Sequence, residues 1–137
     1  RAEAQGNIKG DAFGSPDGLW FDDRGTLWIQ TDAHATNMYK GEYAGLGSNM
    51  MLAADVRSGE IRRFLVGPPN CEITGVITTP DMRTMFVNIQ HPGESPSDRS
   101  DSTDPSKYST WPSGIKGARP RSATVVIRKR DGGVIGT

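Results

Sequence analysis

A single cysteine, Cys71, in 137 residues rules out an internal disulfide and is compatible with either a reducing or an oxidising compartment. No stretch approaches the ~20 apolar residues of a membrane-spanning helix, and no basic region followed by an apolar core marks a signal peptide. Charge of either sign is not in excess: 16 Lys and Arg face 16 Asp and Glu. With no basic run and no interleaved aromatics, nucleic acid and anionic membrane are not indicated as partners. Also missing are a Gly-Lys-Ser/Thr phosphate loop, a Gly-x-Ser-x-Gly elbow and a His-Glu-x-x-His helix, so the common motif-borne chemistries have no foothold. No long segment has helical periodicity.

What the chain does have is an internal repeat. Ser15-Pro16-Asp17-Gly18-Leu19-Trp20-Phe21, a turn, and Thr26-Leu27-Trp28-Ile29-Gln30-Thr31-Asp32 are echoed by Glu72-Ile73-Thr74-Gly75-Val76-Ile77-Thr78, a turn, and Thr84-Met85-Phe86-Val87-Asn88-Ile89-Gln90. Gly18 falls on Gly75, Leu19 on Val76, and Leu27-Trp28-Ile29 on Met85-Phe86-Val87, with one extra residue in the second hairpin. Twin hairpins of this kind, each ending in a polar cluster, predict blades of a β-propeller. Alternating apolar residues bounded by Gly, Pro and Asp predict strands near 17–21, 26–31, 49–55, 60–66, 72–78, 84–90 and 122–130. Trp20, Trp28 and Phe86 are expected to pack between blades.

Four-stranded blades take roughly 40–50 residues and the smallest rings about four blades, so a closed propeller needs on the order of 160 residues or more. The chain is therefore expected to be a fragment: blade one at about 14–67 and blade two at about 70–137, the latter carrying a long loop at 91–121. The lack of an initiator Met at Arg1 and residues 133–137, which read as the opening of a strand, fit that expectation. Uncovered blade edges predict self-association between copies.

Both long connections, 33–48 and 91–121, follow the second strand of a hairpin. In an antiparallel hairpin the start of the first strand and the end of the second lie together, opposite the turn. Asp17, Asp32, His34, Glu72, His91 and Glu94 are thereby expected to converge on one face, while Asp22, Asp23 and Asp81 go to the other. A carboxylate entering an apolar strand, as Glu72 does, is costly unless it is paired or bound to a cation. Hard oxygen donors suit calcium, and Asp17, Glu72 and Glu94 are the candidate metal ligands. Pro16-Asp17-Gly18 also fits an ordinary turn, and Glu72 an ion pair. His91 is the candidate catalytic group, as proton donor or phosphate contact; a loop-fixing cap is the plainer reading. Arg119 and Arg121, with Lys116, could bind a phosphate through paired N–H donors. Asp32 and His34 are read as structural. Cys71 is read as a small buried apolar residue, although thiolate is also an iron ligand.

Ser15-Pro16-Asp17-Gly18-Leu19, Asn70-Cys71-Glu72-Ile73-Thr74-Gly75 and Phe86-Val87-Asn88-Ile89-Gln90-His91-Pro92-Gly93-Glu94, in this order, resemble the C-terminal part of the PhoX-type bacterial alkaline phosphatases. The resemblance runs from about Gly14 to Arg130. It implies a six-bladed β-propeller, exported in folded form to the periplasm or beyond, that hydrolyses small phosphate esters with calcium and iron at the channel mouth. On that reading the partners are the rest of the propeller and the ester substrate, and the fragment alone is inactive. A metal-dependent lactonase and a propeller that only binds are the alternatives.

Overall fold

A computed structural model describes residues 8–97 and 102–137 of the chain. Its elements are β1 (Lys9–Gly10), β2 (Pro16–Phe21), β3 (Thr26–Thr31), a 3-10 turn at Gly41–Tyr43, β4 (Met50–Asp55), β5 (Glu60–Val66), β6 (Glu72–Thr78), β7 (Met85–Gln90) and β8 (Ala123–Ile127). They form an all-β architecture of two sheets, one of five strands in the order β1-β5-β4-β3-β2 and one of three in the order β6-β7-β8. All pairings are antiparallel except that of β1, which lies parallel to β5. β1 escapes sequence reading because two residues carry no periodicity.

The repeat is carried into register. Leu19 pairs with Ile29, Trp20 with Trp28 and Phe21 with Leu27 in the first hairpin; Val76 pairs with Val87, Ile77 with Phe86 and Thr78 with Met85 in the second. Each hairpin breaks register just before this common block, at Asp17 in β2 and at Gly75 in β6, as β-bulges do. The paired glycines have a shared steric cause. A Cβ on Gly18 would collide with the side-chain oxygen of Gln30, and one on Gly75 would come within 2.8 Å of Asn88 Nδ2. In both hairpins an amide side chain lies across the glycine and would have to shift to admit a Cβ, and Gly75 also has φ +57°, a conformation that favours glycine.

The two sheets stack with equivalent faces pointing the same way. Trp28 and Met51 of the larger sheet pack against Ile73, Met85, Val87 and Ile89 of the smaller one, with Trp20, Phe64 and Val125 at the margin. The counterparts of Met85 and Val87 in the first hairpin, Leu27 and Ile29, lie on the opposite face of their own sheet, in a second cluster with Met50, Leu52, Ala54 and Phe13. Stacking is thus head to tail. It leaves Leu19 and Phe21 exposed at one end of the stack and the cross-strand row Ile77, Phe86 and Val126 exposed at the other. Trp28 and, in part, Trp20 pack between the sheets as expected, whereas Phe86 faces outward because no third layer covers it in this chain.

At the hairpin-turn end, Asp22 is buried, and its Oδ1 accepts from the backbone N–H groups of Arg24 (3.0 Å) and Thr26 (2.9 Å) while Oδ2 accepts from Trp28 Nε1 (3.2 Å). Residues 133–137 do not open a strand. They turn back, and Ile135 enters the core, its N–H bonded to Met82 O (2.9 Å) and its carbonyl to Arg24 Nη2 (2.7 Å). Burial pushes the Asp22 carboxyl up, but Thr26, Trp28 and Arg24 together hold it below the usual aspartate range. Such a group stabilises the fold above its unfolded pKa, and the contribution is lost as pH falls through the folded value. Asp22→Asn is expected to cost about 1–3 kcal/mol at neutral pH, through donors left imperfectly paired. Urea unfolding at neutral and acid pH checks this: the gap between wild type and variant should close as pH falls through the lowered folded pKa of Asp22.

Candidate functional site

At the opposite end, where the first strands begin and the second strands finish, residues from both sheets meet. Glu72 opens β6 and pairs with Gln90, the last residue of β7. Asp32 directly follows β3, its N–H bonded to Ser15 O at 2.9 Å. Asp17 sits in the β2 bulge, one step inside the strand and exposed. By register the counterpart of Glu72 is thus Ser15, and Asp17 reaches the same end by a different route.

Glu72 is buried, and its Oε2 accepts from Gln90 Nε2 at 2.6 Å and faces His91 Nε2 at 3.3 Å. His91 Nδ1 faces Glu94 Oε2 at 3.5 Å, is itself buried, and lacks a hydrogen-bond partner among the described residues. The imidazole therefore lies between two carboxylates. Its backbone is held at φ +31°, a sparsely populated value for a residue with a side chain, and its N–H donates to Ser122 Oγ at 2.9 Å just before β8 begins. Asn70 fixes the rest of the turn: Nδ2 donates to Glu94 O (2.8 Å), its carbonyl accepts from Glu94 N (3.0 Å), and Pro69 O accepts from Gly93 N (2.9 Å). Neither Gln90, Asn70 nor Ser122 was singled out by residue chemistry. Asn70 carried a signal, since Asn is among the few side-chain-bearing residues tolerant of the left-handed region it occupies at φ +52°.

Burial pushes the Glu72 carboxyl above the usual glutamate range; the negative charge of Asp32 and, less, of Asp17 pushes the same way, and His91 opposes them. Carboxylates from two sheets thus feel one another at this end, an arrangement typical of functional sites. The donors here are carboxylate oxygens, the type that a hard cation such as calcium takes. Among the described residues, no group of three or more His, Cys, Asp or Glu side chains closes to metal-holding geometry. Glu72 and Glu94 with Asp17 are at most part of a ligand set.

The remaining candidates are spread out. His34 is exposed, with Nδ1 engaged by Thr36 Oγ1 at 2.8 Å in its own loop. Arg119 and Arg121 are exposed on the return of the long connection; Arg121 adjoins Ser122 in sequence and donates its N–H to Trp111 O at 3.3 Å. Cys71 does not fit an iron ligand. Its side chain is fully buried among Trp28, Ile73 and Val87, and burial pushes the thiol up to about 12, with the Ser48 hydroxyl only partly offsetting this. In the native protein at pH 8, Cys71 is expected to resist Ellman's reagent and to react at once in denaturant. Rapid native labelling would contradict its place in the core.

Comparison with known proteins adds identity to this geometry. The family model described as alkaline phosphatase PhoX matches residues 1–93, a span that includes Asp17, Asp32, Glu72 and His91 and stops one residue before Glu94. No curated protein matches. Among solved structures, Pseudomonas fluorescens PhoX in complex with vanadate, a transition state analogue, is similar at 44% identity with a TM-score of 0.75. The match covers 93% of this chain and 19% of that one, so the chain spans about a fifth of the length of the protein it resembles. With most of its length matched by the family model and nearly all of it by a family structure, the chain belongs to the PhoX alkaline phosphatase family.

Proposed function

We propose that this chain is a segment of a metal-dependent phosphomonoesterase, contributing blade one (14–67) and blade two (70–137, with the connection 91–121) to a six-bladed β-propeller. The observation that carries the reading is the meeting of Asp17, Asp32, Glu72 and His91 at one end of the stack, in a chain 44% identical to a PhoX enzyme holding a transition state analogue. Head-to-tail stacking supports the propeller, because it is the packing that successive blades of a ring require. Exposed apolar rows at both ends of the stack fit neighbouring blades supplied by the rest of the parent.

In this reading Glu72, Asp17 and Glu94 supply oxygen ligands for calcium, and the remaining donors, including all those for iron, come from outside the chain. When bound, the cations polarise the phosphoryl oxygens and stabilise negative charge on them. Gln90 and His91 hold the Glu72 carboxylate in place, and as an attacking water oxygen bonds to phosphorus and the ester P–O bond breaks, the His91 imidazole gives a proton to the leaving alkoxide. Arg119 and Arg121 bring guanidinium donors to the phosphate. The parent is exported to the periplasm or beyond, and the segment alone is inactive because it holds only part of the ligand set.

The test is elemental analysis of the full-length protein together with p-nitrophenyl phosphate hydrolysis before and after chelation. Calcium and iron in the protein, with turnover lost on chelation, is the expected result. One exchangeable divalent ion with lactone but not ester hydrolysis, or neither metal nor turnover, would overturn it; the latter would leave a propeller that only binds.

A further inference from the structure

Asn49 lies immediately before β4, is 2% exposed, and has every hydrogen-bonding position of its side-chain amide filled. Oδ1 accepts from Thr31 Oγ1 (2.9 Å) and Ala33 N (2.7 Å); Nδ2 donates to Ala33 O (3.0 Å) and Cys71 O (2.8 Å). Its backbone carbonyl accepts from Gly67 N at 2.9 Å, and Thr31 Oγ1 in turn accepts from Met50 N at 2.9 Å. The partners matter more than their number. Ala33 is the residue after Asp32, at the exit of β3; Cys71 is the residue before Glu72, at the entry of β6. These strands belong to different sheets, which share only side-chain packing over most of their contact.

We infer that Asn49 is a positioning residue that sets the spacing between Asp32 and Glu72 across the junction of the two sheets. The inference rests on the phosphatase reading of this end of the molecule. The physical case is one of stiffness. Apolar packing is non-directional and tolerates small slides, whereas a planar amide with four bonds to three residues fixes distance and orientation together. A misplacement of about 1 Å at reacting groups is enough to cost a large factor in rate. An apolar side chain here would strand the Ala33 N–H and C=O and the Cys71 C=O without this partner, so the amide stabilises the junction; being fully satisfied, it also specifies one geometry.

The experiment uses the full-length protein with Asn49→Asp and Asn49→Ala, and Asp22→Asn as a destabilised control at the far end of the same sheets. Asp keeps the size and the acceptor of Asn but sets a carboxylate oxygen against the Ala33 and Cys71 carbonyls. Turnover of p-nitrophenyl phosphate, inhibition by vanadate and calcium retained through dialysis are measured at a temperature where all variants are folded. The expected result is a kcat lowered about 10- to 100-fold, the range for outer-shell supports of a site, with KM moved less than threefold, vanadate inhibition weakened in parallel and less calcium retained. Asp22→Asn should keep its kcat. Should both Asn49 variants fail to fold, Thr31→Val loosens the same amide from one side and should lower kcat, while Thr31→Ser should restore it. Folded Asn49 or Thr31 variants with kcat within threefold of wild type, or an Asp22→Asn loss of equal size, would overturn the assignment. An inactive wild type overturns the phosphatase reading itself, and the assignment with it; an active wild type with unaffected variants overturns the assignment alone.

Discussion

Glu72→Gln in the full-length protein is expected to lower kcat/KM for p-nitrophenyl phosphate by about a hundredfold or more, the range for removing one electrostatic contact from a site, without lowering the stability of the chelated, metal-free protein. Both halves follow from the surroundings of one carboxylate. Gln keeps the shape of Glu and an oxygen for Gln90 Nε2, so the β6–β7 end stays closed. It removes a negative charge that burial, Asp32 and Asp17 all disfavour, so the fold loses nothing and relieves a repulsion. The sign of the pH dependence is fixed by the same environment. A carboxyl whose folded pKa is raised favours the native state most below its unfolded pKa, and that advantage is lost as pH rises through the folded value. Thermal unfolding of the chelated, metal-free protein should therefore find variant and wild type equal in acid and the variant equal or more stable at neutral pH. A variant that is both active and less stable would place Glu72 among the structural residues.

Trp28→Ala is expected to cost about 3–5 kcal/mol, the usual range for emptying a buried aromatic site. Trp28 is fully buried where the two sheets meet, stands edge-on to Phe64 with ring centroids 4.9 Å apart at 80°, and donates to Asp22. Truncation removes the ring from the centre of the core and leaves Asp22 short of a donor. Trp28→Phe separates the two effects, keeping most of the volume and losing the N–H, at a cost of about 1–3 kcal/mol for the unmet acceptor. Urea unfolding followed by circular dichroism distinguishes the three proteins. A Phe variant as unstable as the Ala variant would shift the weight from packing to the hydrogen bond.

The hairpins were legible because period-two alternation and the glycines at 18 and 75 record steric demands that act within a few residues. The same locality explains what stayed hidden. Phe86 has the pattern of Trp28, yet one is exposed and the other buried, because burial depends on whether another layer lies over that face. Residues 133–137 have strand-like composition but bury Ile135 between two sheets instead, a long-range choice with no local signature. At the candidate site, hairpin geometry alone brought Asp32, Glu72 and His91 to one end. It could not identify Asn49, whose partners are backbone groups that any sequence would present, nor could it separate exposed Asp17 from buried Glu72.

Head-to-tail stacking has a consequence for symmetry. Two copies that met through their exposed rows would join unlike surfaces, the Leu19 and Phe21 end of one against the Ile77, Phe86 and Val126 end of the other. Contact of that kind is heterologous: each addition regenerates the surface it consumes, and growth stops only when the rotation per step closes a circle. Association of isolated segments would then give a ladder of sizes in place of a discrete dimer, and the polarity of the stack, more than its stickiness, would decide between a ring and a fibre.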